Sequence, residues 1–419
     1  MLKRFIVAVL FFPTLGFCQL DQVREWTKTL CAPDMHGRGY VSSGDSLAAE
    51  YLADEYIKIG LLPIPGNKTM FQSFQFPVNT FPGAMKVVLG SQVLKPGVDY
   101  IVDPASGSSK GELKTIFLDG LTLYKTDNID FILLNRKDTF NNAIVADLSN
   151  LKGDSLKLVK EKLQTWNSSI LIIELSPFKF TWSVATQAEN FPYIILRDSL
   201  WSNQKITVDI SNKLIPNHTA RNVIAYLPAK RKTKKTIFFS AHYDHLGRMG
   251  AETYFPGGND NASGSAILLS LATDFKQNPS KYNLVFVGFA GEEAGLIGSH
   301  YYVNHPLFPL SRIEFLINLD IMGSGEDGIT AVNASLFPKE FKKLKKINKK
   351  MGLLKTVNSR GPAANSDHYF FSEKGVPCFF IYTMGPNKNY HDIFDTYDEL
   401  SFAEFEDLTR LIKRFILKL

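Results

Sequence analysis

From Asn222 onward the sequence alternates between short apolar runs and amphipathic stretches, and this alternation restricts the possible folds more than any other feature. The runs Val223 to Leu227, Thr236 to Ala241, Leu284 to Phe289, Ile313 to Leu319 and Cys378 to Tyr382 read as strands. Helical periodicity marks Ser263 to Asp274, Gly295 to Val303, Pro338 to Met351, Ser366 to Lys374 and Ala403 to Leu417. Such alternation builds an α/β domain around a mixed, largely parallel central sheet with helices on both faces. Ligands of such a sheet gather at the carboxyl ends of its strands.

A chain of 419 residues is long enough for that domain and a second unit. With 45% hydrophobic and 21% charged residues it has the balance of a globular protein. Between about Gln72 and Ile210 the pattern turns to short β-rich runs, Thr115 to Leu118, Ala143 to Ala146, Ile170 to Ile173 and Tyr193 to Leu196, interrupted by the helical stretch Ser155 to Gln164. Upstream, Val23, Trp26 and Leu30 mark one amphipathic helix, and Leu47, Tyr51, Leu52, Tyr56 and Ile59 a second that stops at Gly60. The expected division is therefore N-terminal helices over residues 19–71, a mainly β inserted module over 72–215, and the α/β domain over 216–419.

The first 18 residues read as an export signal: Lys3 and Arg4, the apolar run Phe5 to Phe12, then Pro13 and the small Gly16, with cleavage after Cys18. Phe17 stands where a lipoprotein signal needs a small residue. The mature chain is thus expected in the periplasm or outside the cell, with no stable membrane insertion, since no other run nears the roughly 20 apolar residues of a span. Its formal charge of +6 comes partly from Lys230 to Lys235 and Lys342 to Lys350, which read as a solvated turn and a surface helix. No nucleic-acid partner follows from them. Cys31 and Cys378 exclude a disulfide scaffold but leave one bond open.

Almost every acidic or imidazole group of interest follows one of the predicted strands. His242, Asp244 and His245 follow Thr236 to Ala241; Asp260 lies in the Gly257 to Asn261 loop; Glu292 and Glu293 follow Leu284 to Phe289; Asp320 follows Ile313 to Leu319; His391 lies beyond Cys378 to Tyr382. Two histidines and three carboxylates suffice for a pair of zinc ions, one carboxylate bridging, and the imidazoles favour zinc over magnesium or calcium. Glu292 and Glu293, adjacent in a turn, can diverge, one toward metal and the other toward the attacking water; Glu292 is the expected general base. Asp244, two residues beyond His242, is expected to accept its second ring proton. His245 reads as a satisfied structural histidine, and the loop His36 to Tyr40 is balanced between a substrate-facing and a structural role.

These residues sit in blocks that resemble metallopeptidase family 28, the co-catalytic zinc exopeptidases. The blocks are Ser240-Ala241-His242-Tyr243-Asp244-His245-Leu246-Gly247, Gly258-Asn259-Asp260-Asn261-Ala262-Ser263-Gly264, Phe289-Ala290-Gly291-Glu292-Glu293-Ala294-Gly295, Asn318-Leu319-Asp320, and Tyr390-His391 with Asp395-Thr396. The likeness is strong over about residues 217 to 415 and extends loosely to Gly37-Arg38. It implies that Asp260 bridges two Zn2+ ions, one completed by His242 and Asp320 and the other by Glu293 and His391, and it supports Glu292 as base. Ser366-Asp367-His368 is similar to a block that lines the substrate side, which makes Asp367 and His368 secondary candidates. Some members place a tyrosine shortly before that block for the oxyanion; Ala363 and Ala364 stand there, with Tyr382 and Tyr390 as substitutes. The β module resembles a protease-associated insert in placement.

The resemblance implies a zinc exopeptidase acting on peptides, an aminopeptidase first, with carboxypeptidase or dipeptidase action as alternatives. Two further readings are a single-zinc glutaminyl cyclase, which would not need five ligands, and a binding protein on the same fold, which would be expected to have lost some. All five are present.

Overall fold

Along Thr236–His242 every residue is buried, yet successive side chains serve two cores. Ile237, Phe239 and Ala241 join one hydrophobic cluster, while Phe238 joins another on the opposite face. Asn283–Phe289 divides in the same way, Leu284 and Phe286 to one side, Val285, Val287 and Phe289 to the other. Strands covered on both faces have no polar side, which is why these segments are continuous apolar runs in the sequence. This is the computed structural model of the chain, and it describes residues 15–128 and 142–419.

The eight-stranded sheet runs in the order Phe71–Thr80, Lys213–Leu227, Asn283–Phe289, Thr236–His242, Ile313–Leu319, Cys378–Met384, Gly328–Val332 and Val357–Ser359. Its four central strands, Asn283–Phe289 to Cys378–Met384, are mutually parallel, and antiparallel pairings flank them. One face is covered by Leu15–Leu30, Gly44–Ile59, Gly264–Gln277 and Phe405–Lys418, through residues such as Trp26, Tyr56, Leu268 and Ile412. Ile297–Asn304 and His368–Glu373 cover the other through Tyr302 and Phe371. The fold class expected from the alternation is the one observed.

A second eight-stranded sheet is built from the strands between Met85 and Ile210. Its strands Ser109–Asp119, Asn142–Asp147, Leu171–Ser176 and Tyr193–Arg197 are parallel neighbours, and the helices Gly120–Lys125 and Gly153–Trp166 pack on one face through Leu123, Val159 and Leu163. Its other face shares a core with Leu246, Met249 and Phe255 of the first unit. One run expected in the β module belongs elsewhere: Phe71–Thr80 pairs antiparallel with Lys213–Leu227 at the edge of the first sheet. Alternating burial along Phe71–Thr80 reveals a half-covered strand but not which sheet it joins.

The export signal expected over residues 1–18 falls outside the described side chains. No helix among the described residues is long and apolar enough to cross a membrane. Cys31 and Cys378 are both buried and free.

Candidate metal centre

The parallel strands deliver their ends to one place. His242 closes Thr236–His242, Asp320 follows Ile313–Leu319, and the Glu292–Glu293 turn follows Asn283–Phe289. Asp260 sits in the segment before Gly264–Gln277, and His391 in the loop after Cys378–Met384. All five expected ligands converge. His242 Nε2 lies 3.2 Å from Asp260 Oδ1 and 3.3 Å from Asp320 Oδ1. His391 Nε2 lies 3.1 Å from Asp260 Oδ2 and 3.2 Å from Glu293 Oε2. The two oxygens of Asp260 thus face two separate pairs of partners.

These groups fit zinc. Two ligand atoms bound tetrahedrally to one zinc ion stand about 3.3 Å apart, and the four separations match that spacing. Both histidines also have the tautomer a metal needs. His242 Nδ1 is 3.1 Å from the Asp244 carbonyl and His391 Nδ1 is 2.9 Å from the Trp182 carbonyl. A carbonyl only accepts, so Nδ1 carries a proton in each ring and Nε2 is the nitrogen left to face a cation. Burial disfavours a charged His391, yet Glu293 and Asp260 outweigh it and lift its pKa to about 11. Such excess negative potential is what a bound cation would neutralise.

Glu292 stands apart from the five. Its carboxylate forms no hydrogen bond or ion pair among the described residues, although one of its oxygens lies within 4.8 Å of ligand atoms of His242 and Glu293. Burial first, and then Glu293, Asp367 and Asp320, push its carboxyl well above the usual carboxylate range, against the pull of His242. It stands next to the five and is not spent on pairing with them.

Asp244 does not do what its spacing from His242 implies. Its carboxylate lies 3.9 Å from His242 Nδ1, and the main-chain carbonyl takes that proton instead. The carboxylate turns to the Glu292–Glu293 turn and accepts both amides, at 3.2 and 3.3 Å, together with the Tyr40 hydroxyl at 2.8 Å. His245, expected to be structural, donates from Nδ1 to Glu293 Oε1 at 2.7 Å. Gly257, at φ +57°, packs against the His245 ring so closely that a Cβ there would collide with it.

Several positioning residues escaped the sequence reading. Ser366 Oγ donates to Asp320 Oδ2 at 2.9 Å and accepts from Asn318 Nδ2, while Asn318 Oδ1 accepts from Ser240. Asp395 accepts the amides of Asn259 and Asp260. Arg38, fully buried, donates to the carbonyls of Leu30, Tyr243, Pro256 and Gly257 and so has a structural role. Asp367 and His368, expected on the substrate side, are both 0% exposed; Asp367 lies near enough to Glu292 to raise its pKa, and His368 opens the helix His368–Glu373. Of the two tyrosines, Tyr390 stacks on His391 with ring centroids 3.9 Å apart, whereas Tyr382 packs on Phe380.

Residues 222–416 match the model of peptidase family M28. Aminopeptidase YwaD from Bacillus subtilis is 29% identical over 170 residues, which span 39% of this chain and 36% of that protein. Among solved structures, the zinc aminopeptidase BSAP from Bacillus subtilis superposes with a TM-score of 0.70 at 18% identity, over 95% of this chain and 94% of that one. A glutaminyl cyclase from Bacteroides thetaiotaomicron superposes with a TM-score of 0.50 at 14% identity, over 95% and 97% of the two chains. At such identities the superpositions speak for the fold.

Proposed function

We propose that the chain is a metal-dependent aminopeptidase that removes N-terminal residues from peptides, with two zinc ions at the site and Glu292 as general base. The observation that carries this reading is the division of Asp260 between His242 with Asp320 on one side and His391 with Glu293 on the other. Zinc held there would polarise the scissile carbonyl and make a water acidic enough to attack at neutral pH. Glu292 takes the proton of that water and hands it to the leaving amine. The half-exposed Tyr390, stacked on His391, donates to the developing oxyanion. Asp244 holds the turn that carries base and ligand together.

Relatives named as aminopeptidases support the choice of the amino terminus. The superposition on a glutaminyl cyclase supports a second reading, cyclisation of N-terminal glutamine, but the full five-ligand set favours hydrolysis. We further propose export through residues 1–18 and a protease-associated-like role for the second sheet in substrate access. The test is amino-acid release from paired free and N-acetylated peptides, with chelator and with zinc restored. Cleavage of the free peptides alone, lost on chelation and regained with zinc, is expected. Equal cleavage of both would refute an amino-terminal specificity, and pyroglutamate formation without release would favour the cyclase.

A further inference from the structure

We infer that the second sheet is a working part of the metal centre: the segment Lys179 to Trp182 sets the ring of His391, so that ion occupancy at His391 and Glu293, but not at His242 and Asp320, depends on how the two units dock. The inference rests on the two-ion reading above.

Two hydrogen bonds tie Trp182 to His391 in opposite directions. The Trp182 amide donates to the His391 carbonyl at 2.8 Å, and His391 Nδ1 donates to the Trp182 carbonyl at 2.9 Å. One fixes the ligand's backbone and the other its ring. His391 has φ +52°, a left-handed conformation that a non-glycine residue keeps only when its surroundings hold it. A third tie runs from Lys179 Nζ to the carboxylate of Asp392, which is buried, and a fourth to the carbonyl of Lys388 at 2.8 Å. Asp392 in turn accepts the Phe394 amide at 2.8 Å, so the lysine anchors the turn that presents the ligand.

Trp182 is itself bolted to both units. Its indole Nε1 donates to the carbonyl of Val102 at 2.7 Å, in the edge strand Tyr100–Val102 of the second sheet. Its ring stacks on Phe255 of the first unit, centroids 4.7 Å apart. A displacement of the second sheet would therefore reach His391 directly through Trp182. His242 has no such dependence, because the carbonyl that holds its ring belongs to Asp244, two residues away.

The test follows the release of zinc from the full-length protein in graded chelator, read with a metal indicator, and the visible spectrum after cobalt substitution. Lys179→Ala removes an exposed amine and Trp182→Ala the bolt; each is expected to weaken one ion about 10- to 100-fold, the usual cost of losing support behind a ligand, and to leave the other unchanged. Ser366→Ala, behind Asp320, should weaken the other ion instead. Trp182→Phe, which keeps an aromatic ring on Phe255, should recover most of the cobalt spectrum that Trp182→Ala loses. Equal weakening of both ions, no weakening, or the same ion affected by Lys179→Ala and Ser366→Ala would overturn the inference. Should Trp182→Ala fail to fold, Lys179→Ala decides alone. A wild-type chain that takes up a single ion would instead fell the two-ion reading, and this inference with it.

Discussion

The two halves of the candidate metal centre are built by different means. His242 and Asp320 stand at the ends of adjacent parallel strands, and Asp320 is braced by a run of hydrogen bonds from Ser240 through Asn318 and Ser366. His391 and Glu293 stand in a loop and a turn, braced by Trp182 from the second sheet and by His245. A strand end inherits its position from the ladder, whereas a loop ligand has only the side chains and carbonyls that reach it. The first half is local in sheet space; the second gathers contacts up to 209 residues apart in sequence.

The harshest way to break this comparison is to remove what the halves share. Asp260→Ala takes one oxygen from each pair, so both ions should be lost and peptide release should vanish; metal analysis of the dialysed protein checks it. One ion retained at full affinity would mean that one half needs no bridge. Glu292→Gln should touch neither half. It is expected to keep both ions while kcat falls about 10²- to 10⁴-fold, the ordinary worth of a proton acceptor, and near-normal turnover would remove Glu292 as the base. The smaller cut His245→Ala frees Glu293 Oε1 and should weaken the ion of the loop half alone by about 10- to 100-fold in chelator competition.

Ligands that directly follow a strand, in either half, were the more legible in sequence. Apolar runs buried on both faces mark the parallel strands, and a chemically capable residue directly after such a run sits at the sheet's functional edge, so His242, Asp320 and Glu292–Glu293 were named from position. What supports them was not. Ser366 precedes a short helix and looks like a cap; Tyr40 and Arg38 lie in a glycine-flanked loop whose partners are some 200 residues away. Asp244 was named for the right centre and the wrong bond, because proximity in sequence to His242 does not show where the chain bends after the strand. The second sheet was visible as β-rich runs, but its borders were not. Phe71–Thr80 alternates like any half-covered strand, and only its pairing with Lys213–Leu227 assigns it to the first sheet.

The mildest cut probes how far bracing reaches within the strand-end half. Ser240 lies three hydrogen bonds from the carboxylate of Asp320, and each bond joins buried partners. Ser240→Ala leaves Asn318 Oδ1 buried without its donor, which should cost about 1 to 3 kcal/mol of folding stability, read as a lower denaturant midpoint. The hydrogen bond from Ser366 to Asp320 survives that change, since the serine hydroxyl needs only its own proton to make it. Zinc release from this half should therefore stay at the wild-type midpoint while stability falls. A shift in zinc affinity as large as that of Ser366→Ala would instead make the relay one rigid unit, and the strand-end half would then be as dependent on remote support as the loop half is on Trp182.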